Sequence, residues 1–476
     1  MIKTGPRLLL GPVCLSLLAL APLAASAQTL QEVLLRAKPA AVLVASEVSA
    51  EATVDCEGQQ VTGKAAPLRE TGTGWVVHPS GWIVTAAHVV ASSQQASPAV
   101  DAMLRDNAVK ASCLRLVLAR RGLSAGVRPD VEEEIARQLT ARVVPTARVR
   151  VDRVVAVILP NGRRLVSRVA KYAAPAAGAA MSGRDLALLK VEAENLPTLP
   201  LADSSKVKIG DRLHIIGFPS VVMTHELLST SQLDASVTGG AISGFKEDVS
   251  GQPVIQTDAA AAGGDSGGPA VNEQGGVVGV MTFVSKAGGE SGGIVQGFNF
   301  IVPASAVRDF LKNTDVTPGD QGAFTRAWAS GLEAFFSADY TGARPHLAEA
   351  SRLLPNLPDV RRMIQENDER IKNPPPRPFP WQRVGMTLTI VGVLGCVISW
   401  GDWWKRNRFR VRPRDIARLL DSGESGVVLL DVRDSDTFRK SPVRIRRALH
   451  VPAERLAAGE TSLPIESDRP VVAYCT

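Results

Sequence analysis

Gly263-Gly264-Asp265-Ser266-Gly267-Gly268-Pro269 sets one serine among glycines, in a region otherwise built of short apolar runs. A serine hydroxyl is a weak nucleophile until a neighbouring base takes its proton, and the base needs a third group to fix its tautomer and balance its charge. Two other segments offer those groups. Thr85-Ala86-Ala87-His88 ends one apolar run in a histidine, and Arg184-Asp185-Leu186-Ala187 opens another with an aspartate. The set predicts acyl transfer, with Ser266 attacking, His88 carrying the proton and Asp185 orienting the imidazole. The glycines suit the same chemistry, because residues without a Cβ let the chain turn tightly enough to aim backbone N–H groups at an oxyanion. The Gly264 and Ser266 N–H groups are the expected donors, and losing such stabilisation typically costs ~3 kcal/mol.

These groups need rigid elements to bring them together. From 38 to about 305 the chain alternates Val/Ile/Leu-rich runs with Gly, Pro, Asn and Asp turns, as in "GWVVHPSGWIVTAAH", "RVVAVILPNGRRLVSRVA" and "GGVVGVMTFV". Many short strands with tight turns predict a mainly β sandwich or barrel. The stretch from about 91 to 150 interrupts this texture, and its "DVEEEIARQLTARV" predicts an amphipathic helix.

With the segments taken in order, the resemblance is to trypsin-like serine proteases of the HtrA/Deg type. "TGTGWVVHPSGWIVTAAHVV", "RDLALLKVE", "IGDRLHIIGFP", "QTDAAAAGGDSGGPAVNEQGGVVGV" and "GFNFIVPASAV" follow that family's segments over most of 38–310, in the His, Asp, Ser order of chymotrypsin-type enzymes. The resemblance implies two six-stranded β-barrels with the site between them, His88 as general base, Asp185 as its orienter and Ser266 as nucleophile. It also implies that Ala260, six residues before the serine, forms the base of the primary specificity pocket, with Asp258 two places further back. An uncharged base favours small or aliphatic side chains at the cleaved position over Lys or Arg. Relatives of this type often form trimers, so a homo-oligomer is expected by resemblance.

Three departures stand out. The family usually has "GNSGG", whereas this chain has "GDSGG" with no "IVGG" start to supply an amino terminus, so Asp265 is expected to find another partner. The extra residues between His88 and Asp185 are a candidate gate on the cleft. No PDZ-like sequence follows directly. In its place, 306–372 is helical in texture, and "FTRAWASGLEAFFSADYTGARPHLAEASRLLP" sets Gly331, Ala343, Leu347, Ala350 and Pro355 at tetratricopeptide offsets, with its tryptophan out of register. The segment is either a helical hairpin that docks a protein partner or a plain spacer.

The 476 residues are 45% hydrophobic and 21% charged, which excludes wholesale disorder and implies several domains. The net charge of +7 is concentrated after residue 404, in "KRNRFRVRPR", which reads as a topological signal and not as a nucleic-acid footprint. Residues 1–27 carry Lys3 and Arg7, an apolar run and an Ala25-Ser26-Ala27 ending, as in a cleaved secretory signal, the alternative being an uncleaved anchor. After the Pro-rich linker 373–383, residues 384–404 hold an uncharged run flanked by tryptophans and then by basic residues. They predict a single transmembrane helix with its C-terminal side cytoplasmic, in a bacterial inner membrane with the protease domain in the periplasm. Of the five cysteines, only Cys56 and Cys113 share the oxidising side, where a disulfide between them is expected as one of two outcomes. No spacing resembles a metal site, and no organic cofactor is expected.

At 411–476, "VVLLDVRDSDTF", "ALHVPAERL" and "RPVVAYCT" resemble part of a rhodanese-like α/β domain, which would make Cys475 its persulfide-carrying cysteine and leave Asp431 structural. The sequence beyond Cys475 is too short for that family's active-site loop. Either the reading frame continues through a UGA codon read as selenocysteine, or the tail is a degenerate or fragmentary domain.

The function expected is a membrane-tethered serine endopeptidase acting on exported proteins or peptides, in processing or quality control. Two alternatives are a catalytically silent binding or chaperone module on a protease fold, and a sulfurtransferase or redox sensor working through the rhodanese-like part.

Overall fold

Ala41–Cys56 forms β1, and its burial changes character halfway along. The first six residues, Ala41 to Ser46, are all buried, as in a strand covered on both faces, and from Glu47 onward buried and more exposed residues alternate. The buried set of the outer half, Val48, Ala50, Ala52, Val54 and Cys56, lies under two helices, α3 (Pro98–Arg120) and α4 (Pro129–Val143), which follow the single-turn α2 (Ala91–Gln94). Cys56 and Cys113 are joined by a disulfide that fixes α3 to the end of β1. The segment between His88 and Asp185 therefore builds a satellite core on the outer half of β1 and its hairpin partner β2 (Gln59–Lys64). Only its second helix was legible; α3 went unread, because its small and polar residues mask the periodicity.

The computed structural model describes residues 28–123, 128–174, 184–220, 233–286, 294–376, 381–421, 426–459, 465–466 and 469–475. The candidate signal, 1–27, and part of the Pro-rich linker lie outside them. The described residues fall into two compact units, one up to Pro375 and one from Pro376 onward.

In the first unit, β1, β3 (Leu68–His78), β4 (Trp82–Thr85), β7 (Leu186–Val191), β6 (Arg164–Ala173) and β5 (Arg148–Ile158) run side by side, and β1 pairs with β5 to close the ring. A second closed barrel has the order β10 (Pro253–Thr257), β13 (Ile294–Pro303), β12 (Val277–Lys286), β11 (Pro269–Asn272), β8 (Arg212–Gly217), β9 (Ser236–Glu247). Leu43, Trp75, Leu186 and Leu188 of the first barrel share one buried cluster with Ile216, Phe218 and Val280 of the second, so the barrels meet across a common core.

After β13 and the short helix α5 (Ala304–Leu311) come α6 (Ala323–Phe336), α7 (Tyr340–Leu353) and α8 (Pro358–Lys372). A Cβ on Gly331 would lie 2.7 Å from Leu347 Cδ2, so the small residue allows α6 and α7 to approach closely. Trp328 is buried and donates from Nε1 to Leu35 O at 2.8 Å, in α1 (Leu30–Ala37). Phe324, Trp328, Leu332 and Leu347 belong to the same core cluster as Val42, Val76 and Ile83 of the first barrel, so the helices pack as part of the unit. Lys38 bridges Asp234 at 2.7 Å and Asp359 at 3.3 Å, and Arg362 pairs with the same two carboxylates, tying α8 to the lead-in of β9.

The second unit opens with a helix, α9 (Trp381–Asn407), in which an 18-residue stretch within 384–407 has a mean hydropathy of 1.8 and no buried residue. Among the described residues it is the one helix long and apolar enough to cross a membrane. Beyond it, β14 (Val428–Asp431) lies between β15 (Leu449–His450) and β16 (Val471–Tyr474), all parallel. Asp431 is fully buried, accepts from Arg433 Nε at 2.8 Å and from Tyr474 OH at 2.9 Å, and is held by Arg433 below the usual carboxylate range despite its burial. Cys475 is exposed.

Candidate active site

His88 sits in a short 3-10 turn just after β4, Asp185 immediately before β7, and Ser266 in the turn between β10 and β11. The first two come from the first barrel and the serine from the second. β4 and β7 are adjacent, with Thr85 opposite Ala187, so the strand ends carry His88 and Asp185 to the same edge.

Asp185 is buried, and its backbone has a φ of 37°, in the left-handed region that aspartate tolerates better than most residues. One carboxylate oxygen accepts the His88 backbone N–H at 2.9 Å, while the other faces His88 Nδ1 at 2.8 Å. A carboxylate only accepts, so the proton is on Nδ1 and Nε2 is left with its lone pair, the tautomer a general base needs. Burial acts to lower the His88 pKa, but the hydrogen bond and charge of Asp185, with the charge of Glu70, outweigh it and raise the value above the ordinary one.

Thr282 on β12 joins the two barrels' contributions. Its hydroxyl donates to the same Asp185 oxygen that faces His88 Nδ1, and its backbone carbonyl accepts from Ser266 Oγ at 3.3 Å. A hydroxyl has one proton, so while Ser266 Oγ donates to Thr282 O it cannot donate to His88. Catalytic hydrogen bonds commonly tighten only once substrate is bound. Thr282 was not anticipated from the sequence. The available signal was a threonine in an apolar strand run, "VMTFV", shortly after the serine.

Thr73, in the "TGTG" of β3, braces the serine's turn. Its N–H donates to Ser266 O at 2.8 Å, its hydroxyl donates to Gly264 O at 2.7 Å, and that hydroxyl accepts from Phe218 N–H at 2.9 Å. Gly264 has a φ of 99°, and a Cβ there would lie 2.4 Å from Phe218 O, so both conformation and contact require glycine. Among the described residues neither the Gly264 N–H nor the Ser266 N–H has a protein acceptor, which leaves both available to an oxyanion.

Asp265 accepts the Ala262 N–H at 2.8 Å, and burial pushes its pKa up to about 6. Asp258 is occupied with the Ala241 N–H at 2.6 Å. Ala260 is exposed and its carbonyl accepts from Thr238 Oγ1 at 2.6 Å; the neighbouring Ala259 O accepts from Asn299 Nδ2 at 2.7 Å. Cys56 and Cys113 are tied up in their disulfide in the satellite core, and Cys475 lies in the other unit. No group of three or more potential metal ligands occurs among the described residues.

A trypsin-like peptidase domain model matches residues 72–280, a span that holds His88, Asp185 and Ser266. The probable periplasmic serine endoprotease DegP-like of Halomonas elongata is 36% identical over 151 residues, covering 30% of this chain and 27% of that protein. A protein of the same name from Pseudomonas putida is 33% identical over 191 residues, covering 39% and 36%. The serine endoprotease DegS of Haemophilus influenzae is 34% identical over 134 residues, covering 27% and 35%. The chain thus spans about a third of the length of the curated relatives it matches. A solved structure, "HtrA-type protease AlgW with decapeptide", aligns over 60% of this chain and 66% of that one at 20% identity, with a TM-score of 0.33. The chain carries a trypsin-like peptidase domain similar to those of periplasmic serine endoproteases.

Proposed function

We propose that this protein is a membrane-tethered serine endopeptidase that hydrolyses peptide bonds of exported proteins outside the cytoplasm. The observation that carries the reading is the Asp185 carboxylate gripping His88 twice, through its backbone N–H and its Nδ1, opposite a serine whose turn presents two N–H groups.

In the first half-reaction Ser266 Oγ bonds to the scissile carbonyl carbon as its proton passes to His88 Nε2. The carbonyl electron pair moves onto oxygen, where the Gly264 and Ser266 N–H groups stabilise it. His88 then gives the proton to the leaving amine as the C–N bond breaks, leaving an ester on Ser266. Water, deprotonated by His88, repeats the addition, and Oγ leaves with the proton. Asp185 holds the imidazole and stabilises its charged form throughout, and Thr282 steadies the carboxylate.

The uncharged Ala260, six residues before Ser266, supports a preference for small or aliphatic side chains. The apolar α9 and the basic residues after it support tethering to the inner membrane with the peptidase in the periplasm. The parallel order of β14 to β16 and the buried Asp431–Arg433 pair support a rhodanese-like reading of the second unit.

The test is cleavage of an unfolded protein by the full chain in detergent micelles, beside Ser266→Ala, with product ends read by mass spectrometry. Expected are turnover and fluorophosphonate labelling that both vanish in the variant. A folded parent that neither cleaves nor labels would sink the reading in favour of a binding module.

A further inference from the structure

The peptide between Gly263 and Gly264 carries the Gly263 carbonyl on one side and the Gly264 N–H, the first oxyanion donor, on the other. A trans peptide is planar with these groups pointing in opposite directions, so whatever holds the carbonyl aims the N–H. The holder is Ser220, three residues beyond the end of β8. Its backbone N–H and its Oγ both donate to Gly263 O, at 2.7 and 2.8 Å. The same stretch of chain presses on Gly264, whose added Cβ would lie 2.7 Å from Ser220 N. Turning the peptide over would break both bonds and set the Gly264 N–H against the Ser220 N–H, which can only donate.

We infer that Ser220 is a positioning residue for the oxyanion hole, selecting the peptide orientation that leaves the Gly264 N–H for substrate. This rests on the endopeptidase reading and deepens it. Ser220 acts through the Gly263 carbonyl, at a sequence distance of 43 residues, and lies outside the glycine-rich motif. Thr73 braces the following carbonyl, Gly264 O, from a different strand, so consecutive peptides of the turn are held by different elements.

Ser220→Ala keeps the backbone donor and removes the hydroxyl. One hydrogen bond of this kind corresponds to a rate change of about 3- to 10-fold. Steady-state kinetics of the full chain in micelles should show kcat lowered by about that factor with KM unchanged. Affinity for a peptide aldehyde, whose hemiacetal oxygen occupies the oxyanion position, should weaken in step. The pH midpoint set by His88 should stay where it is, and Ser220→Thr, which keeps a hydroxyl, should recover most of the loss. An active parent, with Ser220→Ala matching it in kcat and in aldehyde affinity, would overturn the assignment alone. An inert parent that fluorophosphonate fails to label would overturn the endopeptidase reading and this inference with it.

Discussion

The first barrel holds His88 and Asp185 within a thick cladding, with α3 and α4 on one side, the Cys56–Cys113 disulfide, and α6 to α8 sharing its core. The second barrel presents Ser266 from a turn whose conformation depends on a few side chains reaching its backbone, chiefly Thr73 and Ser220. The proposed general base and its orienter are thus placed by strand pairing and core packing, whereas the proposed nucleophile and oxyanion donors are placed by individual hydrogen bonds. Damage to the first region should register mainly in stability, and damage to the second mainly in turnover.

Asp185→Asn provides the largest effect and crosses that division, because it strikes the chemistry from the well-packed side. Losing the carboxylate removes the Nδ1–H tautomer, and kcat should fall by ~10⁴-fold, while circular dichroism shows the fold retained. A variant within tenfold of the parent would mean that His88 is oriented by something else.

Opening the Cys56–Cys113 bridge, by replacing both with Ser, should cost up to ~4 kcal/mol of stability for a loop of this length, read from denaturant unfolding. Catalytic constants should match the parent below the unfolding transition. A fall in kcat without a fall in stability would show that the satellite core reaches the site.

Thr73→Val should do the reverse in proportion. It strips Gly264 O and the Phe218 N–H of a buried partner, for a loss of ~1–3 kcal/mol in stability and a drop of roughly tenfold or more in kcat. Stability lost with kcat intact would assign Thr73 to the core instead of the turn.

The smallest and most diagnostic effects are in pH. Because the His88 pKa is raised above its ordinary value, kcat/KM should decline as pH falls through a midpoint above 6.5, as His88 takes a proton. The Asp185→Asn variant, with that charge removed, should move the midpoint down. In stability, His88 contributes below its unfolded value and loses that contribution as pH rises through the folded one. Asp265 acts in the same direction. Its pKa is pushed up to about 6 by burial, so the native state holds the proton longer than the unfolded chain and stability declines as pH rises from about 4 to 6. Asp265→Asn should flatten that decline, and an unchanged slope would mean that Asp265 ionises as readily when folded as when unfolded.

How legible each part was follows from how local its cause is. The β texture, the segments around His88, Asp185 and Ser266, and the apolar α9 all show in windows of a few residues, because strand alternation, tight turns and continuous apolarity are local patterns. Helix α3 did not show, because it is held by the cores of β1 and α4 more than by a clean apolar face of its own. Thr282, Thr73 and Ser220 did not show either. A single hydroxyl in a strand or at its end looks the same whether it faces solvent or a reacting group.

By itself the sequence determined the kinds of chemistry on offer: a serine among glycines, a histidine and an aspartate at the ends of apolar runs, and an uncharged helix between tryptophans. Those are properties of residue type and spacing. The tertiary structure alone decided that Asp185 grips His88 by two atoms, that Asp265 takes the Ala262 N–H as its partner, that the long insertion builds its core on β1, and that Thr282, Thr73 and Ser220 hold the reacting groups in place. Apart from the Asp265–Ala262 contact, which closes within one turn, these depend on atoms brought within hydrogen-bonding or van der Waals distance across tens to hundreds of residues of chain, and only closure of the two barrels against their common core makes those approaches.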